Sequence, residues 1–308
     1  VSKILIFGHQ SPDTDAITSA ITFSHLQNAL GKETEAVALG KTTAETQYAL
    51  DQFGVEAPRI ITTAAEETQE VMLVDHNEAQ QSVPDIDKVK VLAVVDHHRI
   101  ANFQTANPLL YRAEPVGCTN TIILKMYKEN NVGIPKHIAG LMLSAIISDT
   151  LLLKSPTCTE EDEKAAKELA EIAGVELEAY GKELLKAGTD TSSKNADMIL
   201  NDDAKNFPMG GLTVRIGQVN VVDVDEILDR KQELLDEMAA QSENNDIDLF
   251  VLVTTDVLNS NSVAIVYGKE KAQVAQAFNK ELIDDTLMLE GVVSRKKQVV
   301  PPLTAQFG

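Results

Sequence analysis

The chain is 308 residues long, 44% hydrophobic and 24% charged, with a formal net charge of −20, enough for one large or two medium globular domains. A surface this negative repels phosphate backbones and anionic lipid headgroups; a nucleic acid or membrane partner would need a strong local basic patch, none is seen, and neither partner is expected. Cys118 and Cys158 are the two cysteines, too few for a disulfide framework and without CxxC spacing; the apolar run at the amino terminus is far shorter than a signal-peptide core and no apolar stretch nears a membrane span, so a cytoplasmic protein is expected.

From the amino terminus, short β-rich apolar runs alternate with amphipathic segments: "KILIFG", "EAVALG", "RIIT", "VMLVDHN" and "KVLAVVDHH". Spacings of about a helix plus loops between them predict a mainly parallel sheet covered by helices. Helical segments follow, "CTNTIILKMYKENN", "PKHIAGLMLSAIISDT" and "TEEDEKAAKELAEIAG", the last opened by a Thr159 cap and closed by Gly174. The small, polar, aperiodic stretch "AGTDTSSKN" then reads as a linker. Beyond it a second, smaller α/β unit with a mixed sheet is expected from "LTVRIGQVNVVDV", a charged helix near residues 226–243, "IDLFVLVTT", the turn "NSN", "SVAIVYG", another helix, and "SRKKQVVPPL". The predicted division is therefore a first domain at 1–188, a linker at 189–194 and a second domain at 195–308.

Three of the predicted strands end in acid and histidine. "KILIFG" runs into His9, Asp13 and Asp15, "VMLVDHN" ends in Asp75, His76 and Asn77, and "VLAVVDHH" ends in Asp96, His97 and His98. Strands of an open parallel sheet share one carboxyl edge, so residues that follow them converge however far apart they lie in sequence. Any one cluster could be a solvated acidic loop or a helix cap. Four of the six histidines directly follow predicted strands, however, and that coincidence of type and topology points to a metal site. His25 and His137 fall in helical segments and receive no role. Asp149 ends the nearly all-apolar "AGLMLSAIISDT", where an ionised carboxylate is costly unless it is paired, metal-bound or exposed at the helix end.

The set "GHQSPDTD", "VDHN", "VDHH", "ISDT" and "SRKK" resembles the manganese-dependent soluble inorganic pyrophosphatases called family II, within the DHH phosphoesterase superfamily. The resemblance runs from Gly8 to Lys297. It implies one Mn²⁺ held by His9, Asp13 and Asp75 and a second by Asp15, Asp75, His97 and Asp149, with Asp75 bridging and Co²⁺ as an alternative metal. Carboxylate-rich sites with one imidazole each suit these ions better than the thiolate sites of structural zinc. The implied activity is hydrolysis of pyrophosphate to two phosphates by two-metal activation of a bridging water, with Mg²⁺ accompanying the substrate. His98 becomes the general acid, unless it only packs or orients a ligand, and Asp96 and His76 become supports for the ligands.

Arg295, Lys296 and Lys297 form a run of three cations, which by itself would face solvent. The resemblance makes Arg295 and Lys296 phosphate clamps, joined by Lys205 of "DDAKNF", and metals on one domain with cations on the other imply a cleft that closes over substrate. If "SRKK" is a strand, alternation turns Lys297 away from Lys296. The family also implies a homodimer. Two rival functions remain open: a DHH nuclease or dinucleotide phosphodiesterase, which five Tyr, eight Phe and no Trp equip poorly for stacking bases, and a non-catalytic metal- or phosphate-binding protein.

Overall fold

The computed structural model describes residues 3–308. After Ala187 the chain passes from one compact unit to a second. The first unit contains β1 (Ile4–Phe7), α1 (Thr14–Ala29), β2 (Thr34–Ala36), α2 (Ala44–Gln52), β3 (Glu70–Val74), β4 (Lys90–Asp96), β5 (Leu110–Ala113), α3 (Thr119–Glu129), α4 (Lys136–Thr150), α5 (Glu160–Ala173) and α6 (Leu177–Ala187). Its sheet has the order β2-β1-β3-β4-β5 with every neighbouring pair parallel. The apolar runs of β1, β3 and β4 are buried because α1 and α3 pack on the sheet and loop residues including Ile61, Ala64, Val83 and Phe103 join the apolar cluster of its strands. Leu5, Phe7, Leu73 and Val94 pack in one cluster, while Ile17 of α1, Leu50 of α2 and Leu141 of α4 meet in another.

This strand order reverses direction between β1 and β3. In open α/β sheets the crevice beyond the carboxyl ends at such a reversal is where ligands bind. Two local features bring α1 back tightly against β1. Gly8 leaves the strand where an added Cβ would stand 2.6 Å from the Ala16 side chain, so only glycine allows the approach. Asp13 then caps the helix, its Oδ1 accepting from Ala16 N at 2.9 Å.

The expected parallel sheet with covering helices is present, with differences at its margins. "RIIT" forms no full strand and contributes an isolated bridge from Ile60 to Ala38. β5 was not legible because, as an edge strand, it has no fully buried residue and therefore no clean apolar run. The Thr159 cap is a full capping box with Asp162, and Gly174 closes α5 at φ 70°.

The second unit contains α7 (Ala196–Asn201), β6 (Ala204–Met209), β7 (Leu212–Val221), α8 (Asp225–Leu228), α9 (Lys231–Asn244), β8 (Leu249–Asp256), β9 (Asn261–Gly268), α10 (Lys271–Ala277), β10 (Thr286–Leu289) and α11 (Val300–Phe307). Its sheet, ordered β10-β9-β8-β7-β6, is mixed: β7 and β8 run parallel and the other pairs antiparallel. Each face carries its own core, one including Val251, Ala264 and Leu303, the other Leu234, Phe250 and Ile265. Within the stretch read as a linker, Thr189 and Thr191 are buried, and Arg230 Nη1 donates to the carbonyls of Thr191 and Lys194 at 3.3 and 2.8 Å.

One strand expectation fails outright. "SRKKQVVPPL" is a π-helical turn at Arg295–Val299 running into α11. Ser294 caps the turn by accepting from Lys297 N, while Gln298 Oε1 receives the amides of Val293 and Ser294 at 2.9 and 3.0 Å. Pro301 and Pro302 lie in the first turn of α11, where a missing N–H costs nothing. Lys296 and Lys297 are therefore neighbours on a helical turn rather than residues on opposite faces of a strand, and the strand argument for turning Lys297 away does not apply.

Candidate metal centre

The carboxyl ends of β1, β3 and β4, the start of α1 and the end of α4 bring His9, Asp13, Asp15, Asp75, His97, His98 and Asp149 together. Three sets have ligand atoms all within 4.8 Å of one another: His9 with Asp13 and Asp75, Asp15 with His97 and Asp149, and Asp75 with His97 and His98. Asp75 lies in the first and the third. It leaves β3 in the left-handed region, at φ 57°, a conformation aspartate tolerates better than most residues and one that recurs at functional sites. The turn splits its two oxygens: Oδ2 is 3.4 Å from His9 Nε2 and Oδ1 is 3.3 Å from His97 Nε2.

Both imidazoles are aimed by their far nitrogens. His9 Nδ1 meets the Gln10 carbonyl at 2.8 Å and His97 Nδ1 meets the Val116 carbonyl at 2.9 Å. A carbonyl partner fixes the proton on Nδ1 in the neutral ring and leaves Nε2 as a ligand. Asp13 Oδ2 lies 3.5 Å from His9 Nε2, while Asp149 Oδ2 and Asp15 Oδ2 lie 3.7 and 4.0 Å from His97 Nε2. Adjacent ligands of a cation bonded at about 2.1 Å stand ~3.0–3.4 Å apart in octahedral or tetrahedral geometry, so these donors need little rearrangement to close on one.

Asp15 is the most tightly held carboxylate. Oδ2 accepts from Thr119 N at 2.7 Å, and Oδ1 accepts from Ser19 Oγ and Asn120 Nδ2, each at 2.8 Å. The amino end of α3 thus faces it, which favours an anion. Thr119 Oγ1 also donates to Asp75 Oδ1 at 3.0 Å. Asp75 Oδ2, by contrast, is buried and receives no hydrogen bond, an expensive state for a carboxylate unless a cation meets it. A divalent ion fits that oxygen, and a donor set of imidazole nitrogen and carboxylate oxygen suits Mn²⁺.

Electrostatics without an ion follow from the crowding. Burial, and next the charge of Asp75, push the Asp15 carboxyl up to about 7. Burial and the charge of Asp15 likewise hold Asp149 well above the usual carboxylate range. Burial would lower His97, yet Asp75 and Asp15 raise it to about 9. Cys118 lies close by, but burial and the Asp15 charge push its thiol well up, so it offers no thiolate.

His98 sits at the rim, a third exposed, with Nδ1 2.8 Å from Asp96 Oδ1 and 3.6 Å from Asp75 Oδ1. Asp96 is buried, and its other oxygen accepts from Asn77 Nδ2 at 2.8 Å. His76 does not face the cluster: Nδ1 meets the Val74 carbonyl at 2.9 Å and Nε2 meets Ser82 Oγ at 3.0 Å. Burial lowers it to about 4, so it stays neutral.

In the second unit, Arg295 turns back onto β6 and β7. Nη1 donates to the carbonyls of Asp203 and Ile216 at 2.8 and 3.2 Å, and Nη2 to Asp203 Oδ1 at 2.6 Å. Lys205 on β6 pairs in register with Ile216, which places it beside Arg295. Lys205 and Lys296 are exposed. Sequence reading passed over Thr119, Asn120 and Asp203 and named Asn77 without giving it a role. Asn120 follows Cys118 at a helix start and Asn77 ends "VDHN", positions where a polar residue reads as a cap.

Two families match the chain: residues 3–146 match the DHH family, N-terminal domain, and residues 182–306 match the DHHA2 domain. A "probable manganese-dependent inorganic pyrophosphatase" of Enterococcus faecalis is 64% identical over 307 residues, covering 100% of both chains. A manganese-dependent inorganic pyrophosphatase of Bacillus subtilis is 59% identical over 304 residues, covering 99% of this chain and 98% of that one. The crystal structure of a Methanococcus jannaschii protein described as a family II inorganic pyrophosphatase superposes with a TM-score of 0.85 at 40% identity, covering 98% of each chain.

Proposed function

The chain belongs to the manganese-dependent, family II inorganic pyrophosphatases of the DHH family, and from that premise we propose that it cleaves pyrophosphate at a two-metal centre on its first unit. His9, Asp13 and Asp75 hold one Mn²⁺, and Asp15, Asp75, His97 and Asp149 hold the second. The observation that carries this reading is Asp75, whose two oxygens face two different histidines at 3.4 and 3.3 Å, the arrangement a bridging carboxylate requires. When bound, the ions would supply activation of the attacking water and neutralisation of phosphate charge.

The protein's own groups do the rest. The carbonyls of Gln10 and Val116 and the amino end of α3 orient the ligands before any ion arrives, which lowers the cost of assembling the site. His98 is the general acid that protonates the leaving phosphate. Asp96 holds its Nδ1 and stabilises the protonated ring, and Asn77 holds Asp96. Arg295, Lys296 and Lys205 bind the terminal phosphates, the guanidinium as a planar fork and the ammonium groups as point charges. The first domain is then catalytic and the second substrate-binding.

The same reading carries Mg²⁺ with the substrate, Co²⁺ as a replacement metal, a homodimer and a cytoplasmic location. Consistent with the last, Cys118 and Cys158 are both free, and among the described residues no helix is long and apolar enough to cross a membrane. A phosphate-release assay with pyrophosphate, short polyphosphate and a dinucleotide, run with Mn²⁺ and after chelation, tests the proposal. Faster cleavage of the dinucleotide, or full activity after chelation, would overturn it.

A further inference from the structure

Glu45 stands in the first turn of α2, where an acidic residue is ordinarily explained by the helix dipole. Its side chain does something else. Thr43 already caps α2, accepting from Thr46 N at 3.2 Å. Glu45 Oε1 instead receives two hydroxyls from other helices: Thr14 Oγ1 at 2.6 Å and Ser148 Oγ at 2.5 Å. Thr14 lies between Asp13 and Asp15, and Ser148 immediately precedes Asp149. One oxygen therefore joins the two chain segments that deliver carboxylates to the centre from opposite ends of the first unit's sequence. Packing of Ile17 against Leu141 brings α1 and α4 together, but apolar contacts tolerate sliding along the helix axes. Directional hydrogen bonds at the ligand-bearing ends do not.

We propose that Glu45 is a positioning residue of the metal centre, clamping the Asp13–Asp15 turn to the Asp149 turn through Thr14 and Ser148. This rests on the two-metal reading above. Supports of bound ligands typically contribute 10- to 100-fold in metal affinity, and that sets the expected effect. Calorimetric titration of the whole protein with Mn²⁺, together with the electron spin resonance signal of paired Mn²⁺, would measure it. Glu45→Ala should bind Mn²⁺ about 10- to 100-fold more weakly at one or both sites and lose part of the paired signal. Glu45→Gln, which keeps an acceptor oxygen, should recover most of the affinity. Ser148→Ala, which removes one of the two bonds, should fall between, and combining it with Glu45→Ala should add nothing further, the signature of a shared interaction. Wild-type Mn²⁺ affinity in both Glu45→Ala and Ser148→Ala would overturn the proposal even if melting temperature fell, because that is what a merely structural role predicts; should Glu45→Ala not fold, Ser148→Ala alone decides. Failure of the unmodified protein to bind two Mn²⁺ would instead overturn the two-metal reading, and the clamp with it.

Discussion

At Asp75 two demands meet: a left-handed backbone at φ 57° and one carboxylate oxygen for each half of the cluster. Asp75→Asn keeps a side chain suited to that backbone but forfeits the charge, so it isolates the chemistry from the turn. We expect it to fold yet to lose stoichiometric binding at both sites, read by metal analysis of the desalted protein; two tightly held ions would contradict the bridge. His98→Gln tests a different step. It should keep both ions while lowering turnover about 10²–10⁴-fold, the usual cost of a lost general acid, and wild-type turnover would return His98 to packing. Several ligands carry protons in the metal-free site near neutral pH: burial and Asp75 hold the Asp15 carboxyl at about 7, burial and Asp15 hold Asp149 well above the carboxylate range, and, against the pull of burial, Asp75 and Asp15 hold His97 at about 9. A cation must displace those protons, so Mn²⁺ affinity should fall as pH drops through neutrality, by up to about tenfold per unit for each proton released. Titrations in buffers of different ionisation enthalpy would count the protons released, and an affinity flat from about pH 5.5 to 7.5 would rule this out.

Elements rather than residues decide what could be read in advance. The ends of β1, β3 and β4 were legible because each apolar run stops at acid and histidine, and parallel strands share a carboxyl edge. Asp149 was legible only in part, since an acid at a helix end has an ordinary solvent-facing explanation. Glu45 and Asn120 were not legible at all. Each lies in the first turn of a helix, where polar side chains normally serve the helix itself, and only tertiary structure reveals that they serve another segment. The turn at Arg295–Val299 was misread because three successive cations carry no period, and its fold depends on Ser294 and Gln298 gripping nearby amides. That turn supplies the next prediction. Lys296→Ala should bind Mn²⁺ normally while losing about 10- to 100-fold in kcat/KM for pyrophosphate, as expected for one charge-assisted hydrogen bond. Arg295→Lys should fall short of full activity as well, because an ammonium cannot replace a fork that also grips Asp203 and the Ile216 carbonyl. Unchanged pyrophosphate kinetics in Lys296→Ala would remove it from the clamp.

On the scale of the whole chain, repulsion among buried carboxylates makes the metal-free first unit less stable than its packing allows. The raised Asp15 and Asp149 favour the fold least when ionised, so their penalty grows as pH climbs above the unfolded aspartate value of 3.8. Mn²⁺ should therefore raise the melting temperature most at neutral pH, with about 2.7 kcal/mol gained at a hundredfold excess over Kd for each site. The fragment 188–308, which has cores on both faces of its own sheet, should fold alone and melt without regard to Mn²⁺; a Mn²⁺ response there would place a site outside the first unit. The strand order has an engineering corollary. All proposed ligands cluster at the carboxyl edge, and α1, 16 residues long, carries the chain about 24 Å away from it. The exposed loop at residues 30–33, with Gly31 facing open space, therefore offers a place to splice in a fluorescent reporter or surface tether that leaves metal affinity untouched. The same insertion between β3 and the Ser82 loop would destroy it.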